Sequence, residues 1–314
     1  MQSVVVSVLM VTYNHQDYVQ KAIQSVLNQE TEFSFELLVG DDGSHDKTPG
    51  RILEASKDPR VIPFIRKENI GATNNLLDLQ KHARGEYIAY LDGDDYWCDF
   101  QKLQTQINFL QSHPEYVACT HSCMLVDGAG NPCTKQHLKW IAEKAVFTIQ
   151  DFHGIVLPGH LSTLMHRNAA LKNDSAFEKI MTAHPVIADR SLFMYLLSKG
   201  PVFHLPQTMS CYRQTGADGA RNATASIYKN NPHRVLDDYK YTKQLEQYAT
   251  DLLGVDAGFR YHKRSIFASA VWGFVRHPSK DTASLISEIL NEGSAVDYLL
   301  HFPTEVILKL IEKL

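Results

Sequence analysis

Between residues 4 and 92, apolar β-branched runs alternate with stretches of helical apolar spacing, and each apolar run stops in a polar cluster. "VVVSVLMVTYN" has the composition of a strand buried on both faces. "HQDYVQKAIQSVLNQ" then places Tyr18, Ala22, Ile23, Val26 and Leu27 at helical spacing. "FELLVGDDGS", "VIPFIRKENIG" and "GEYIAYLDGDD" read as three further strands, separated by the helical segments "KTPGRILEASK" and "ATNNLLDLQKHA". Strands alternating with helices imply parallel βαβ units, and such sheets bind ligands at the carboxyl ends of their strands. The clusters "TYN", "DDGS", "NIG" and "DGDD" all fall at those ends. The expectation is an α/β fold with a mostly parallel central sheet flanked by helices, its site on that edge.

After about residue 100 the pattern loosens. "QKLQTQINFLQSHP" is a helix stopped by Pro114, and "YVACTHSCMLVDGAGNP" is a strand with a turn. In "HPVIADRSLFMYLLSKG" the polar "ADR" opens an amphipathic helix, and "PVFHLPQTMSCYR" is strand-like. From about residue 231 onward the chain reads as helices. A length of 314 residues suits an α/β domain of about 200 to 250 residues with a helical appendage. The division expected is 1–225 as the α/β domain that carries the polar edge and 226–314 as a C-terminal helical region.

The net charge of −4 argues against a protein that coats nucleic acid. Five cysteines, Cys98, Cys119, Cys123, Cys133 and Cys211, form no disulfide framework and point to a reducing compartment. Cys119, His121 and Cys123 share a strand face, but their spacing matches no familiar zinc site, so small buried residues are the preferred reading. The N-terminus lacks a basic stretch and a cleavage site, and no segment reaches the roughly 20 apolar residues that span a bilayer. A cytoplasmic protein follows, at most peripheral on the inner face of the membrane. The N-x-T sequon in "RNATAS" therefore carries little weight.

The acidic run "LDGDDYW" puts Asp92, Asp94 and Asp95 within four positions at a strand end. Carboxylates this close, on a glycine turn that allows close approach, suit a hard divalent cation, Mn²⁺ or Mg²⁺, that bridges a diphosphate. The other reading is a solvated turn. An EF-hand is excluded, because no Glu follows at the required position. Asp41 and Asp42 lie on the same predicted edge and suit hydrogen bonds from a base or ribose, or else form a turn that caps the next helix.

Taken in order, "VSVLMVTYN" with "AIQSVLNQ", "FELLVGDDGSHDKT", "NIGATNN", "GEYIAYLDGDDYW" followed by "KL", "ADRSL" and "CYR" resemble glycosyltransferase family 2, whose nucleotide-sugar domain is the GT-A fold. These landmarks cover roughly residues 4 to 215. The resemblance implies that Thr12, Tyr13 and Asn14 face the nucleotide, Thr12 and Tyr13 packing against base and ribose. It implies that Asp42, with Asp41 beside it, binds the base, and that Asn69 belongs to the same nucleotide site. "LDGDD" resembles the DxD signature, with Asp92 near the sugar or ribose and Asp94 on the metal. The Asp-Gly-Asp-Asp register also admits Asp95 to the metal role. "ADR" resembles the family's Glu-Asp pair, so Asp189 is the implied general base, and Tyr212 and Arg213 of "CYR" fall on the diphosphate or acceptor side. There are two departures: Ala188 replaces the usual Glu, and Asn74-Asn75 stand where an Arg-Asn pair is usual. The resemblance leaves the missing basic contact to another residue, Arg213 being the candidate.

The implied activity is inverting, metal-dependent transfer of a sugar from a nucleotide-sugar, a UDP-sugar first, to a hydroxyl of a saccharide or lipid-linked saccharide in bacterial surface polysaccharide synthesis. Two alternatives are a sugar nucleotidyltransferase and a non-catalytic module that binds nucleotide-sugars or glycans. The first lacks its expected glycine-rich phosphate loop, since "TYNHQDY" stands there. The second would release no nucleoside diphosphate. Asp189 also has the bland reading of a helix-opening carboxylate that complements the macrodipole. His160 and His184 are candidates for the acceptor side, with structural roles as the alternative. In the terminal segment Val306, Ile307, Leu310, Ile311 and Leu314 alternate with Lys309 and Lys313. It reads as a helix that packs on the catalytic domain or another subunit, and secondly as a peripheral membrane contact.

Overall fold

The computed structural model describes residues 3–133, 138, 141, 144–171, 174–214, 231–292, 298, 301 and 302. The sequon, the 225/226 boundary and the terminal amphipathic residues from Val306 onward lie outside them. The first half follows the expected alternation: β1 (Val4–Thr12), α1 (Val19–Leu27), β2 (Ser34–Asp41), α2 (Thr48–Ala55), β3 (Val61–Ile65), α3 (Ala72–His82) and β4 (Tyr87–Asp92). The order β3-β2-β1-β4 is parallel throughout. β1 lies in the middle because its residues can be buried on both faces. Val6, Val8 and Met10 pack toward α1, and Leu9 faces the opposite cluster beneath α3. Sheets of this kind need apolar side chains of both parities, which explains why β1 reads as a continuous apolar run.

Beyond β4 the sheet continues where the sequence pattern loosens. β8 (Met165–Arg167) pairs antiparallel with β4, then come β6 (Ala118–Val126) and β9 (Val202–Arg213), which run parallel to each other. Two short strands, β5 (Tyr96–Trp97) and β7 (Val146–Phe147), both pair antiparallel with β9. β5 has no sequence signature. It is two residues long and exists because Tyr96 and Trp97 meet Cys211 and Ser210 of β9 in register. That pairing folds the acidic turn back over the end of β9.

Helices α4 (Lys102–Ser112), α5 (Ile149–Phe152), α6 (Ser175–Met181) and α7 (Asp189–Lys199) cover the two faces of the sheet. Among the described residues three more helices follow: α8 (Arg234–Asp251), α9 (Phe259–Arg276) and α10 (Lys280–Glu292). They have a core of their own around Tyr239, Ile266, Phe267 and Ile289, while Tyr241, Leu245 and Ala249 of α8 join the main core under α7. Among the described residues no helix is long and apolar enough to cross a membrane. All five cysteines are unpaired thiols.

One buried charge is informative about energetics. Lys102 of the "KL" landmark is fully buried. Its Nζ donates to Gln106 Oε1 at 2.6 Å and stands 4.0 Å from the centroid of the Trp97 ring. Burial pulls its pKa down to about 7. The unfolded chain therefore binds more protons than the native one between about pH 7 and pH 10, and this lysine costs most stability at and below pH 7. Lys102→Met is expected to raise stability at pH 6.5 by about 1–3 kcal/mol, the gain shrinking toward pH 10. Denaturant unfolding at the two pH values measures it.

Candidate active site

The carboxyl ends of β1, β2 and β4 are held together by side chain to backbone hydrogen bonds. Asn14, just past β1, has a φ of 55°, a left-handed conformation that Asn tolerates better than most residues. Its Oδ1 accepts the N–H of His45 at 2.9 Å, and its own N–H donates to Ser44 Oγ at 2.8 Å. Ser44 in turn donates through Oγ to Asp41 Oδ1 at 2.5 Å and through its N–H to Oδ2 at 3.1 Å. Asp41 is fully buried, and the loss of solvent raises its pKa, with the Ser44 bonds opposing. Asp42 accepts the N–H of Ile70 at 2.8 Å and of Gly71 at 3.1 Å, so its carboxylate shapes the loop before α3. Gly43 carries a φ of 75°, and a Cβ there would lie 2.8 Å from the carbonyl carbon of Glu68. Glycine lets the "DDGS" turn and the "NIG" loop approach this closely. Asn69 sits in that loop and accepts the Gly71 N–H at 3.1 Å. Tyr13 is 39% exposed at the rim.

The acidic turn is the electrostatic centre. A Cβ on Gly93 would fall 2.5 Å from Thr12 Oγ1 and 3.1 Å from His15 Nδ1, which explains the glycine between Asp92 and Asp94. Asp94 Oδ2 stands 3.9 Å from His15 Nε2. Asp95 is buried: Oδ1 accepts the Arg213 N–H at 2.9 Å, and Oδ2 lies 3.8 Å from His160 Nδ1. Burial, then the charges of Asp94 and Asp189, push Asp92 up to about 7. Burial, then Asp94 and Asp92, hold Asp95 well above the carboxylate range, with Arg213 opposing. Asp189 is the first residue of α7, and loss of solvent raises its pKa too, with Arg190 opposing. The fold thus brings Asp189, far along the chain, close enough to act on Asp92.

Arg213 ends β9 as a scaffold. Its Nε donates to the Asp94 carbonyl at 2.8 Å, and one terminal nitrogen donates to the carbonyls of Asp127 at 3.0 Å and Gly128 at 2.8 Å. The guanidinium also lies 4.5 Å from the Tyr18 ring centroid and is almost wholly buried. These bonds fix the acidic turn from below. Tyr212 lies against His160 with the rings tilted at 32°, their centroids 4.1 Å apart. The Asn74-Asn75 departure also has a structural account. Buried Asn75 donates to the Gly40 carbonyl at 2.8 Å and accepts Arg66 Nε at 3.0 Å. Arg66, at the end of β3, thus brings a guanidinium to this position, also pairing with Asp78 at 2.8 Å.

Three buried polar atoms at or against this turn have no hydrogen-bond partner among the described residues: Thr12 Oγ1, His15 Nδ1 and Asp95 Oδ2. Such atoms are rare unless something else satisfies them. Among the described residues no three His, Cys, Asp or Glu side chains form a preassembled metal cage. One carboxylate with an imidazole beside it still fits a hard or borderline cation that takes its other ligands from water and a phosphate. His15 was missed by sequence reasoning, its only signal being its place directly after "TYN". Arg66 was missed too, being indistinguishable in sequence from any lysine or arginine after a strand.

The glycosyl transferase family 2 profile matches residues 7–175, more than half of the chain. The chain belongs to glycosyl transferase family 2. An uncharacterised protein of Mycobacterium tuberculosis is 32% identical over 212 residues, 66% of this chain and 58% of that relative. Escherichia coli WfgD, a UDP-Glc:alpha-D-GlcNAc-diphosphoundecaprenol beta-1,3-glucosyltransferase, is 38% identical over 110 residues, 35% of this chain and 42% of that one. The chain thus spans about half the length of the curated relatives it matches. In three dimensions the family 2 chain is similar to Staphylococcus aureus TarS residues 1–349 in complex with UDP-GlcNAc. The TM-score is 0.65 at 18% identity, over 96% of this chain and 82% of that one. The fold is GT-A, with a mostly parallel sheet between helices and a C-terminal helical extension.

Proposed function

We propose that this family 2 member is an inverting, metal-dependent glycosyltransferase. It moves a sugar from a UDP-sugar to a hydroxyl of a saccharide or lipid-linked saccharide, in bacterial surface polysaccharide synthesis. The observation that carries the reading is the acidic turn, with buried polar atoms that find no partner among the described residues, lying within reach of the charge of Asp189. The donor class is supported by relatives named for UDP-Glc and by the UDP-GlcNAc complex of TarS. The catalytic unit is taken as 1–225, with 226–314 as the helical region, and the site as facing the cytoplasm.

Thr12, Tyr13, Asn14, Asp41, Asp42 and Asn69 line the nucleotide side, Asp42 acting through the loop it shapes as well as by direct contact. Asp94 holds the Mn²⁺ or Mg²⁺, with Asp92 next to it toward the sugar. Asp95 keeps the turn rigid through Arg213. When bound, the cation supplies charge neutralisation of the diphosphate leaving group. Asp189 accepts the proton of the acceptor hydroxyl as that oxygen attacks the anomeric carbon from the face opposite the diphosphate. One displacement of this kind inverts the configuration. His160, packed against the Tyr212 ring, borders the acceptor side.

A donor screen tests the reading. Nucleotide-sugars with Mn²⁺ or Mg²⁺ are expected to give release of nucleoside diphosphate, while a pure binding module would give none. Cation binding is also expected to depend on pH. Below pH 7 Asp92 holds a proton that the cation must displace, so apparent affinity falls by up to about tenfold per pH unit from 7 to 5. Calorimetric titration of Mn²⁺ at fixed UDP measures this, and a pH-independent affinity would contradict it.

A further inference from the structure

The residue after Asp189 has no place in the donor site and a disproportionate set of partners. Arg190 points away from the acidic turn and into the C-terminal helices. One terminal nitrogen donates to Asp238 Oδ1 of α8 at 2.8 Å. The other donates to the Gly154 carbonyl at 2.8 Å and to Thr242 Oγ1 at 3.1 Å. The guanidinium lies 4.7 Å from the Tyr241 ring centroid. Asp238 is held in turn by His262 of α9, whose Nε2 is 3.2 Å from Oδ2. Tyr241 donates its hydroxyl to the Ile187 carbonyl at 3.1 Å and meets Ser191 Oγ at 2.9 Å. On the other side, Thr73 of α3 donates its N–H to the Pro185 carbonyl at 3.1 Å and its Oγ1 to the His184 carbonyl at 2.8 Å.

Residues 184 to 191 are therefore clamped between α3, which leads into the donor edge, and α8. Helices can pack together by apolar contact alone, and Leu245 and Ala249 already do so here. A buried guanidinium adds directionality: its two terminal nitrogens, one on Asp238 and the other on Gly154 and Thr242, fix rotation and sliding of the first helical turn, which apolar packing leaves soft. That turn begins with Asp189.

We infer that the C-terminal helices are part of the catalytic apparatus: Arg190, anchored by Asp238 and through it by His262, is a positioning residue that sets the orientation of Asp189. The inference rests on Asp189 being the base in the proposed reaction. A base misplaced by about 1 Å loses up to a hundredfold in rate, so a partial release of the clamp is expected to cost about tenfold.

Asp238→Asn keeps shape and removes the charge. With the donor found in the screen, it is expected to lower kcat about tenfold and to leave the donor KM within about twofold. Repeated in an Asp189→Asn background, the same substitution is expected to change kcat by less than about twofold, because a positioning residue has nothing left to position. A purely structural role predicts the same loss in both backgrounds. That result, or a wild-type kcat for Asp238→Asn, overturns the inference. Should Asp238→Asn fail to fold, His262→Gln, which loosens only the outer link, is expected to show the same pattern at about threefold. An equal loss in both backgrounds would again overturn it. Failure of the underlying reading looks different: intact protein would release no nucleoside diphosphate, or Asp189→Asn would transfer as the wild type does, and the inference falls with it.

Discussion

Asp94→Asn is expected to abolish measurable transfer, a loss of about a thousandfold or more, and to remove the thermal stabilisation by Mn²⁺ with UDP. The physical reason lies in what each neighbouring carboxylate already does. Asp95 has one oxygen on the Arg213 backbone N–H and is buried behind the turn, with His160 3.8 Å from the other. Asp94 lies beside His15, and its backbone carbonyl rather than its carboxylate takes the Arg213 guanidinium. Of the two, Asp94 is the one whose carboxylate can take a cation without giving up the bond to the Arg213 N–H that holds the turn. Asp95→Asn should therefore retain metal-induced stabilisation and lose about 10- to 100-fold in activity, as expected for a residue that orients a ligand without being one. Equal losses of metal response in the two variants would show that the cation is shared. Thermal unfolding with and without Mn²⁺ and UDP, alongside nucleoside diphosphate release, separates the two outcomes.

Asp189→Asn is expected to lower kcat by about 10²- to 10⁴-fold with little change in donor KM, because a base acts on the acceptor proton and not on the nucleotide. Asn keeps the size of the side chain and can still accept the Arg190 N–H, which Asp189 Oδ1 accepts at 2.7 Å. The start of α7 is thus preserved, and the loss reports chemistry. The raised pKa of Asp189 adds a signature. A carboxyl raised above its ordinary range is protonated over part of the acidic range, so transfer should fall as pH drops into it and recover as the proton leaves. At saturating cation, which removes the contribution of Asp92 to binding, that limb should disappear in Asp189→Asn. A kcat within about threefold of wild type would remove Asp189 from the base role.

The parallel half of the sheet was legible from residues 4 to 92, because a strand buried on both faces must be apolar at every position and a strand end facing a ligand must be polar. "TYN", "DDGS", "NIG" and "DGDD" do converge on one edge, as the pairing Thr12↔Asp41 and Val11↔Asp92 across β1 shows. Arg213 shows the opposite case. The family resemblance implied a contact to diphosphate or acceptor, and the structure adds that its Nε and one terminal nitrogen donate to three backbone carbonyls, with a tyrosine face beside them. Nothing local marks that difference, since an arginine after a strand is equally suited to phosphate and to carbonyl oxygen.

Local sequence, then, determined the parallel units, the polar edge and the cluster of three carboxylates, because strand burial, turn chemistry and charge density are short-range properties of the chain. Tertiary structure alone decided which partners each of those carboxylates meets. The separation of Asp94 from Asp95 depends on β5 pairing with the end of β9, more than a hundred residues away. The closeness of Asp189 to Asp92, and the hold of α8 on Arg190, likewise depend on contacts between distant segments. Desolvation and Coulomb interaction act through space and not along the chain, so the chemistry of each aspartate was set only when those segments met.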